Sequence, residues 1–246
     1  MTKSVKHPLH FLWCVPRSRS TAFEKMMVNT GQFNVIGEPF IDIYKQGMLS
    51  SNDVQITQSN FNHVFESLSH NSLQQPVFVK DMAYHVTPFI LDHQILSAKH
   101  TFLIRHPNLS IPSLYKMREN FHENETGFEG QITLFKRIYK LTGKKPFIVD
   151  AERLITSPIK TVSRFFDSIN HVMPRGVLDW QPGSRDDWKG RESWHIDAIN
   201  SSGFMDTKRD VKARPLPSRI DKIIQQNMPP YNFMCEQLSQ QKLKVS

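Results

Sequence analysis

The chain has 246 residues, 39% of them apolar and 22% charged, which suits a folded chain with a sizeable core and excludes a disordered one. Its formal charge of +8 calls for an anionic partner: a nucleic acid, a membrane surface or a polyanionic small molecule. The basic residues are scattered, which argues against a nucleic-acid tail. No apolar run reaches the roughly 18 residues of a membrane helix, and two distant cysteines, Cys14 and Cys235, make neither a disulfide framework nor a Cys-rich zinc site. Residues 1–10 carry lysines but no long apolar stretch or cleavage site, so no signal peptide is expected and the expected location is the cytoplasm.

Short apolar runs alternate with amphipathic stretches. Residues 10–15 (HFLWCV) predict a buried strand, and 20–30 a helix with Ala22, Phe23, Met26 and Met27 on one side and Gly31 as its stop. A short strand is expected at 34–36, a helix at 61–69, a strand at 76–80 (PVFVK) and a helix at 88–96. Residues 100–105 (HTFLIR) predict a strand, 109–121 and 127–142 helices, 146–150 (PFIVD) the last clear strand, and 158–169 a helix with proline in its first turn. The segment 180–219, rich in Gly, Pro, Ser and charge, is expected to be mainly loop and to act as a lid. A last helix is expected within 230–242. Strands alternating with helices imply a parallel sheet covered on both faces, with ligands beyond the carboxyl ends of the strands.

The turn after the first strand reads PRSRST, residues 16–21. It leads into a helix whose first backbone N–H groups lack internal partners and, with the dipole, attract an anion. Hydroxyls of Ser18, Ser20 and Thr21 and the guanidinium of Arg17 or Arg19 add donors. The turn is not of the GxxxxGK[ST] type, because it lacks the glycines and the lysine–hydroxyl pair that serve magnesium.

PRSRSTAF resembles the 5′-phosphosulfate loop of the sulfotransferase superfamily, usually PKSGTT or PRSGST. The resemblance implies that Arg17 takes the place of the catalytic Lys or Arg, that Ser18, Ser20 and Thr21 are the phosphosulfate-binding hydroxyls, and that Arg19 replaces a glycine. A second motif agrees: FLIRHP ends a strand at Arg105, and Ser113 follows eight residues later, the spacing at which the family binds the donor's 3′-phosphate. Asp187-Trp188-Lys189 resembles the end of the family's RKGxxGDWK motif, but Gln181 and Pro182 stand at its Arg-Lys positions, leaving Arg185, Lys189 or Arg191 to compensate. The resemblance covers roughly residues 10–195 and implies a three-layer α/β sandwich with a central parallel sheet, the P-loop nucleotide-hydrolase-like sulfotransferase fold, as one domain over 1–246.

The implied reaction moves a sulfuryl group from 3′-phosphoadenosine 5′-phosphosulfate to a hydroxyl or amine of a small-molecule acceptor, with Arg17 stabilising charge and no metal. Three residues are candidates for the base. Glu38, in IGEPF, resembles the glutamate base of some family members and is favoured, with burial expected to raise its pKa. His85 has the better intrinsic pKa. The histidine that cytosolic members place two residues after a lysine is missing, since matching that lysine to Lys80 puts Met82 there. Asp81 is the third. His106 is expected beside Arg105, and the other histidines form no metal constellation. Two alternatives stay open: a nucleotide-dependent kinase or phosphotransferase, and a non-catalytic nucleotide- or nucleic-acid-binding protein of the same fold. Residues 47–60 and 188–214 are the expected lining of the acceptor pocket. The sequence assigns neither the acceptor nor an oligomeric state.

Overall fold

The computed structural model describes residues 7–49, 54–204 and 215–242. Five parallel strands, β1 (Leu9–Cys14), β2 (Asn34–Gly37), β3 (Val77–Met82), β4 (Lys99–Ile104) and β5 (Phe147–Asp150), lie in the order β2-β3-β1-β4-β5. Because all run one way, their carboxyl ends share one edge. Cys14 pairs with Met82 on one side and Leu103 on the other, and Gly37 pairs with Lys80. The residues after these strands therefore converge on the end of β1.

Alternation along β1 sends its side chains to two different cores. Phe11 and Trp13 pack with Phe61 and Phe65 of α3 (Val54–Asn71), with Leu134 and Phe135 of α7 (Phe128–Thr142), and with Met234 of α11 (Ser218–Lys242). Leu12 and Cys14 pack with Phe23, Met26 and Met27 of α1 (Ser20–Asn29) and with Phe165 and Phe166 of α9 (Pro158–Ser168). The result is the three-layer sandwich that the alternating pattern implied. The remaining helices are α2 (Ile41–Leu49), α4 (Ala83–Val86), α5 (Asp92–Leu96), α6 (Pro107–Met117), α8 (Arg153–Thr156) and α10 (Glu192–Ile199).

Several expected elements are corrected. The helix expected at 88–96 is only α5, because Leu91 is extended and its N–H bonds to the Gln94 side chain, opening the helix at Asp92. The helix expected at 109–121 begins at Pro107, capped by the His106 ring, and ends before Arg118, which is extended. The helix expected at 61–69 runs from Val54 to Asn71. The stretch 47–60, expected to line the acceptor pocket, is largely the end of α2 and the start of α3, with 50–53 outside the described residues. The last helix starts at Ser218 and contains Pro229 and Pro230. Each proline removes a backbone bond, yet Ile220, Ile223, Ile224, Met234 and Leu238 are buried on either side of the pair and hold the helix by its apolar face. Within the segment 180–219, α10 and a turn of 3-10 helix at Asp186–Trp188 interrupt a stretch most of whose described residues are in neither helix nor strand; its residues 205–214 lie outside the described ones.

His10, in β1, is buried between the rings of Phe33 and His171, and neither ring nitrogen has a hydrogen-bond partner among the described residues. Burial, with Lys99 nearby, lowers its pKa to about 3. Burial likewise lowers His100, which accepts from the Trp13 indole, to about 4. The unfolded chain therefore takes these protons first, and stability falls as pH drops from about 6.5 towards 4. The melting temperature is expected to fall across that window, and less steeply in His10→Phe. An equally steep fall in the variant would contradict the assignment.

Candidate active site

The first strand ends in a turn with unusual backbone. Among the described residues four non-glycine positions have positive φ: two stand in this turn, Arg17 (φ 60°) and Arg19 (φ 66°), and a third, Glu38 (φ 50°), follows β2. Left-handed backbone costs an L-residue roughly 1–2 kcal/mol, and such strain gathers at functional sites. Arg19, the residue before α1, keeps the left-handed conformation that glycine takes freely. Its guanidinium lies 3.8 Å from Glu152.

The two arginine motifs meet. Arg17 donates through Nε to Ser113 Oγ (3.0 Å) and through Nη1 to the Trp194 carbonyl (2.9 Å), and it faces Asp197 at 3.7 Å. Arg105 donates through Nη1 to the Arg17 carbonyl (2.6 Å) and through Nε to Glu152 (3.0 Å). Ser20 and Thr21 border the cavity at the start of α1. Ser18 does not: its hydroxyl is buried and donates to the Val15 carbonyl at 2.7 Å, closing the turn from inside. Lys189 also stays away, exposed and paired with Asp186 at 2.9 Å. Arg185 is held by Asp187 and by Glu24, leaving Arg191 as the residue of that trio on the cavity wall. His106 caps α6 and meets the edge of Tyr231.

The cavity measures about 730 Å³, within the range of small-ligand sites. Cationic side chains outnumber carboxylates on its wall seven to three. Of the expected acceptor-lining stretches, the described part of 188–214 contributes residues from Arg191 to Phe204, among them Trp194, His195 and Asp197; no described residue of 47–60 lines it, and Ile41, Tyr44 and Lys45 of α2 do so.

Of the three base candidates, Glu38 and His85 line the same cavity, and Asp81 is buried against His85. Glu38 accepts from Lys80 Nζ at 2.6 Å. Burial alone would raise its pKa, as expected from sequence, but the Lys80 ammonium outweighs burial and holds the carboxyl at about 2. Lys80 is buried too, and Glu38 together with Glu24 (3.1 Å) keeps it charged against that burial. Glu24, fully buried on α1, accepts from the Trp188 indole at 3.0 Å. Gly37 is what lets it in, since a Cβ there would come within 2.9 Å of the Glu24 carboxylate. Asp81 is fully buried and spent on hydrogen bonds: Oδ2 accepts from the Phe40 N–H, and Oδ1 from the Met82 N–H and from His85 Nδ1 at 2.6 Å. The His85 ring, on α4, borders the cavity.

Sequence reasoning missed α10. It lies along the turn after β1, with Trp194 and Asp197 on Arg17 and with His195 Nδ1 hydrogen-bonded to Thr21 Oγ1 at 3.2 Å. Burial, then Lys80, lowers the His195 pKa to about 4, so its ring is neutral at pH 7. Lys25 of α1 donates to the carbonyls of Ala198 and Ser201 at the end of α10, fixing the two helices together. The only sequence signal was a short ESWHIDAI stretch after Gly190.

A sulfotransferase-domain family model matches residues 10–237, the span that carries this cavity. The chain belongs to the sulfotransferase-domain family. The sulfotransferase domain is 24% and 25% identical to the branched-chain-amino-acid aminotransferase-like proteins 1 and 2 of Arabidopsis thaliana, over 90% of this chain and 40% of each relative. It thus spans 40% of the length of those relatives. In fold it is similar to the sulfotransferase domain from the curacin biosynthetic pathway (TM-score 0.57, 15% identity, 91% of this chain and 98% of that one). It is also similar to that of the Synechococcus PCC 7002 olefin synthase (TM-score 0.53, 14% identity, 92% and 97%). No described helix is long and apolar enough to cross a membrane.

Truncating a buried charge partner leaves the others uncompensated, at a cost of about 3–5 kcal/mol. Lys80→Met is expected to lose that much stability in urea denaturation, and much of it should return when Glu24→Gln and Glu38→Gln are added. A loss below about 1 kcal/mol would show that the three groups are not coupled.

Proposed function

We propose that this sulfotransferase domain uses 3′-phosphoadenosine 5′-phosphosulfate and transfers its sulfuryl group to a hydroxyl or amine of a small-molecule acceptor. One observation carries the reading: Arg17 is bonded to Ser113, and Arg105 to the Arg17 carbonyl, so the two anion-binding motifs share one cavity wall. The excess of cationic side chains and the free N–H groups opening α1 fit a ligand with phosphates at both ends. The co-substrate supplies an activated sulfuryl group on its 5′-phosphate.

In this reading Ser20, Thr21 and the first N–H groups of α1 hold the 5′ end, while Arg105 and Ser113 hold the 3′-phosphate. Arg191 stands in for the missing Arg-Lys pair. Arg17 stays protonated and stabilises the charge that develops on the leaving oxygen. Asp197, at 3.7 Å, competes with an anion for that guanidinium. The acceptor's proton passes to a side chain across the cavity, Glu38 or His85. Two unpaired cysteines, Cys14 and Cys235, suit the reducing cytoplasm.

Titration calorimetry with adenosine 3′,5′-bisphosphate tests the proposal. Binding is expected with or without magnesium. Arg105→Ala is expected to weaken it roughly 10- to 100-fold, the worth of one or two charge-assisted hydrogen bonds. A chain that does not bind the bisphosphate at millimolar concentration is not a phosphosulfate-dependent transferase.

A further inference from the structure

We infer that Asp81 is a positioning residue that fixes His85, rather than Glu38, as the base turned towards the acceptor; the inference rests on the sulfuryl-transfer reading. Asp81 is fully buried and held by two backbone N–H groups, Phe40 at 3.0 Å and Met82 at 2.7 Å, so its carboxylate cannot swing. Its Oδ1 takes His85 Nδ1 at 2.6 Å. A carboxylate accepts only, so Nδ1 carries a proton, and in the neutral ring Nε2 is the nitrogen that keeps its lone pair. The ring cannot turn away. Tyr84 packs edge-on against it with centroids 4.4 Å apart, and Tyr44 lies against it at 5.1 Å. His85 is 2% exposed, and that remnant opens on the cavity.

The other candidates are committed elsewhere. The Glu38 carboxylate is ion-paired with Lys80 at 2.6 Å, and a proton arriving there would have to break that pair. His195 shares its Nδ1 with Thr21 on the donor wall. As the acceptor oxygen or nitrogen bonds to sulfur, the sulfur–oxygen bond to the 5′-phosphate breaks and its electron pair leaves on the phosphate oxygen. The acceptor's proton goes to His85 Nε2. The Asp81 carboxylate stabilises the imidazolium and keeps its own protonation state, the arrangement by which a buried carboxylate serves a histidine base in hydrolytic triads.

The test is the tautomer of His85, read by nitrogen NMR in ¹⁵N-histidine-labelled protein and assigned by its loss in His85→Gln. A protonated Nδ1 and bare Nε2 are expected in the unsubstituted chain, and a shift towards Nε2–H in Asp81→Asn. Turnover, followed as bisphosphate released from the donor with a soluble metabolite extract as acceptor source, is expected to fall roughly 100-fold or more in kcat in Asp81→Asn. The donor's KM and bisphosphate affinity should hold. An Nε2–H tautomer in the unsubstituted chain overturns the inference, as does an undiminished kcat in Asp81→Asn. Should Asp81→Asn fail to fold, the tautomer of the unsubstituted chain decides alone. Loss of bisphosphate binding in the unsubstituted chain would instead refute the donor reading and leave the tautomer result standing.

Discussion

Beneath the carboxyl edge of the sheet a single ammonium, Lys80 Nζ, is buried on β3 with a carboxylate on either side. Glu24 comes from α1 and Glu38 from the turn after β2, so one ion joins three segments distant in sequence. Glu24 then passes the restraint on, accepting from the Trp188 indole and facing Arg185 at 3.6 Å. Arg185 in turn donates to the Val35 carbonyl on β2. The C-terminal segment is thereby tied to the sheet through the fully buried Glu24 carboxylate. A buried pair of this kind adds little net stability, because desolvation consumes most of its Coulomb energy. Its effect is on specificity: few other packings satisfy Lys80, Glu24 and Glu38 together.

That constraint bears on the strained backbone. Glu38 is held at positive φ while its N–H donates to the Lys80 carbonyl at 2.7 Å and its carboxylate takes the Lys80 ammonium, so both ends of the residue are pinned to β3. Arg17 is pinned likewise, its carbonyl by Arg105 and its guanidinium by Ser113 and Trp194. Strained conformations persist where surrounding bonds over-determine them. For Arg17 those bonds come from residues that also line the cavity, so the same side chains shape the site and hold its loop; for Glu38 they come from Lys80 beneath it.

The sheet was legible from sequence because its signal is local. HFLWCV, PVFVK and HTFLIR are short apolar runs bounded by polar or turn residues, and strands of a parallel sheet need nothing more. The arginine–serine pairing was legible because residues 17, 105 and 113 stand at strand ends or one helix beyond them, and strand ends of a parallel sheet share one edge. The roles within the site were less so. Ser18 has the same hydroxyl as Ser20, and only the fold turns it inward to Val15. Glu38 was expected to gain a proton on burial, yet the direction depended on Lys80, a partner 42 positions away that a charge inside an apolar strand announced without naming. α10 was hidden because its ESWHIDAI sequence is barely amphipathic; Arg17, Thr21 and Lys25 hold it, and those contacts are wholly long-range.

The two halves of the cavity are built on opposite principles. One wall relies on charge: the guanidinium groups of Arg17, Arg19 and Arg105 are held by carbonyls and carboxylates. The opposite wall relies on shape. Burial keeps the Tyr84 and Tyr44 phenols neutral, and their rings meet edge to face at 5.0 Å around His85. The position of that wall is set by the absence of a side chain. At Gly130 on α7 a Cβ would come within 2.8 Å of the Tyr84 backbone nitrogen, so α7 can press against the start of α4 only because residue 130 has none. A helix interior glycine gives up about 1 kcal/mol relative to alanine, and that loss is offset by an approach that brings Tyr84 and His85 to the cavity edge. One part of the wall thus carries fixed positive charge, and the other an imidazole held by ring packing.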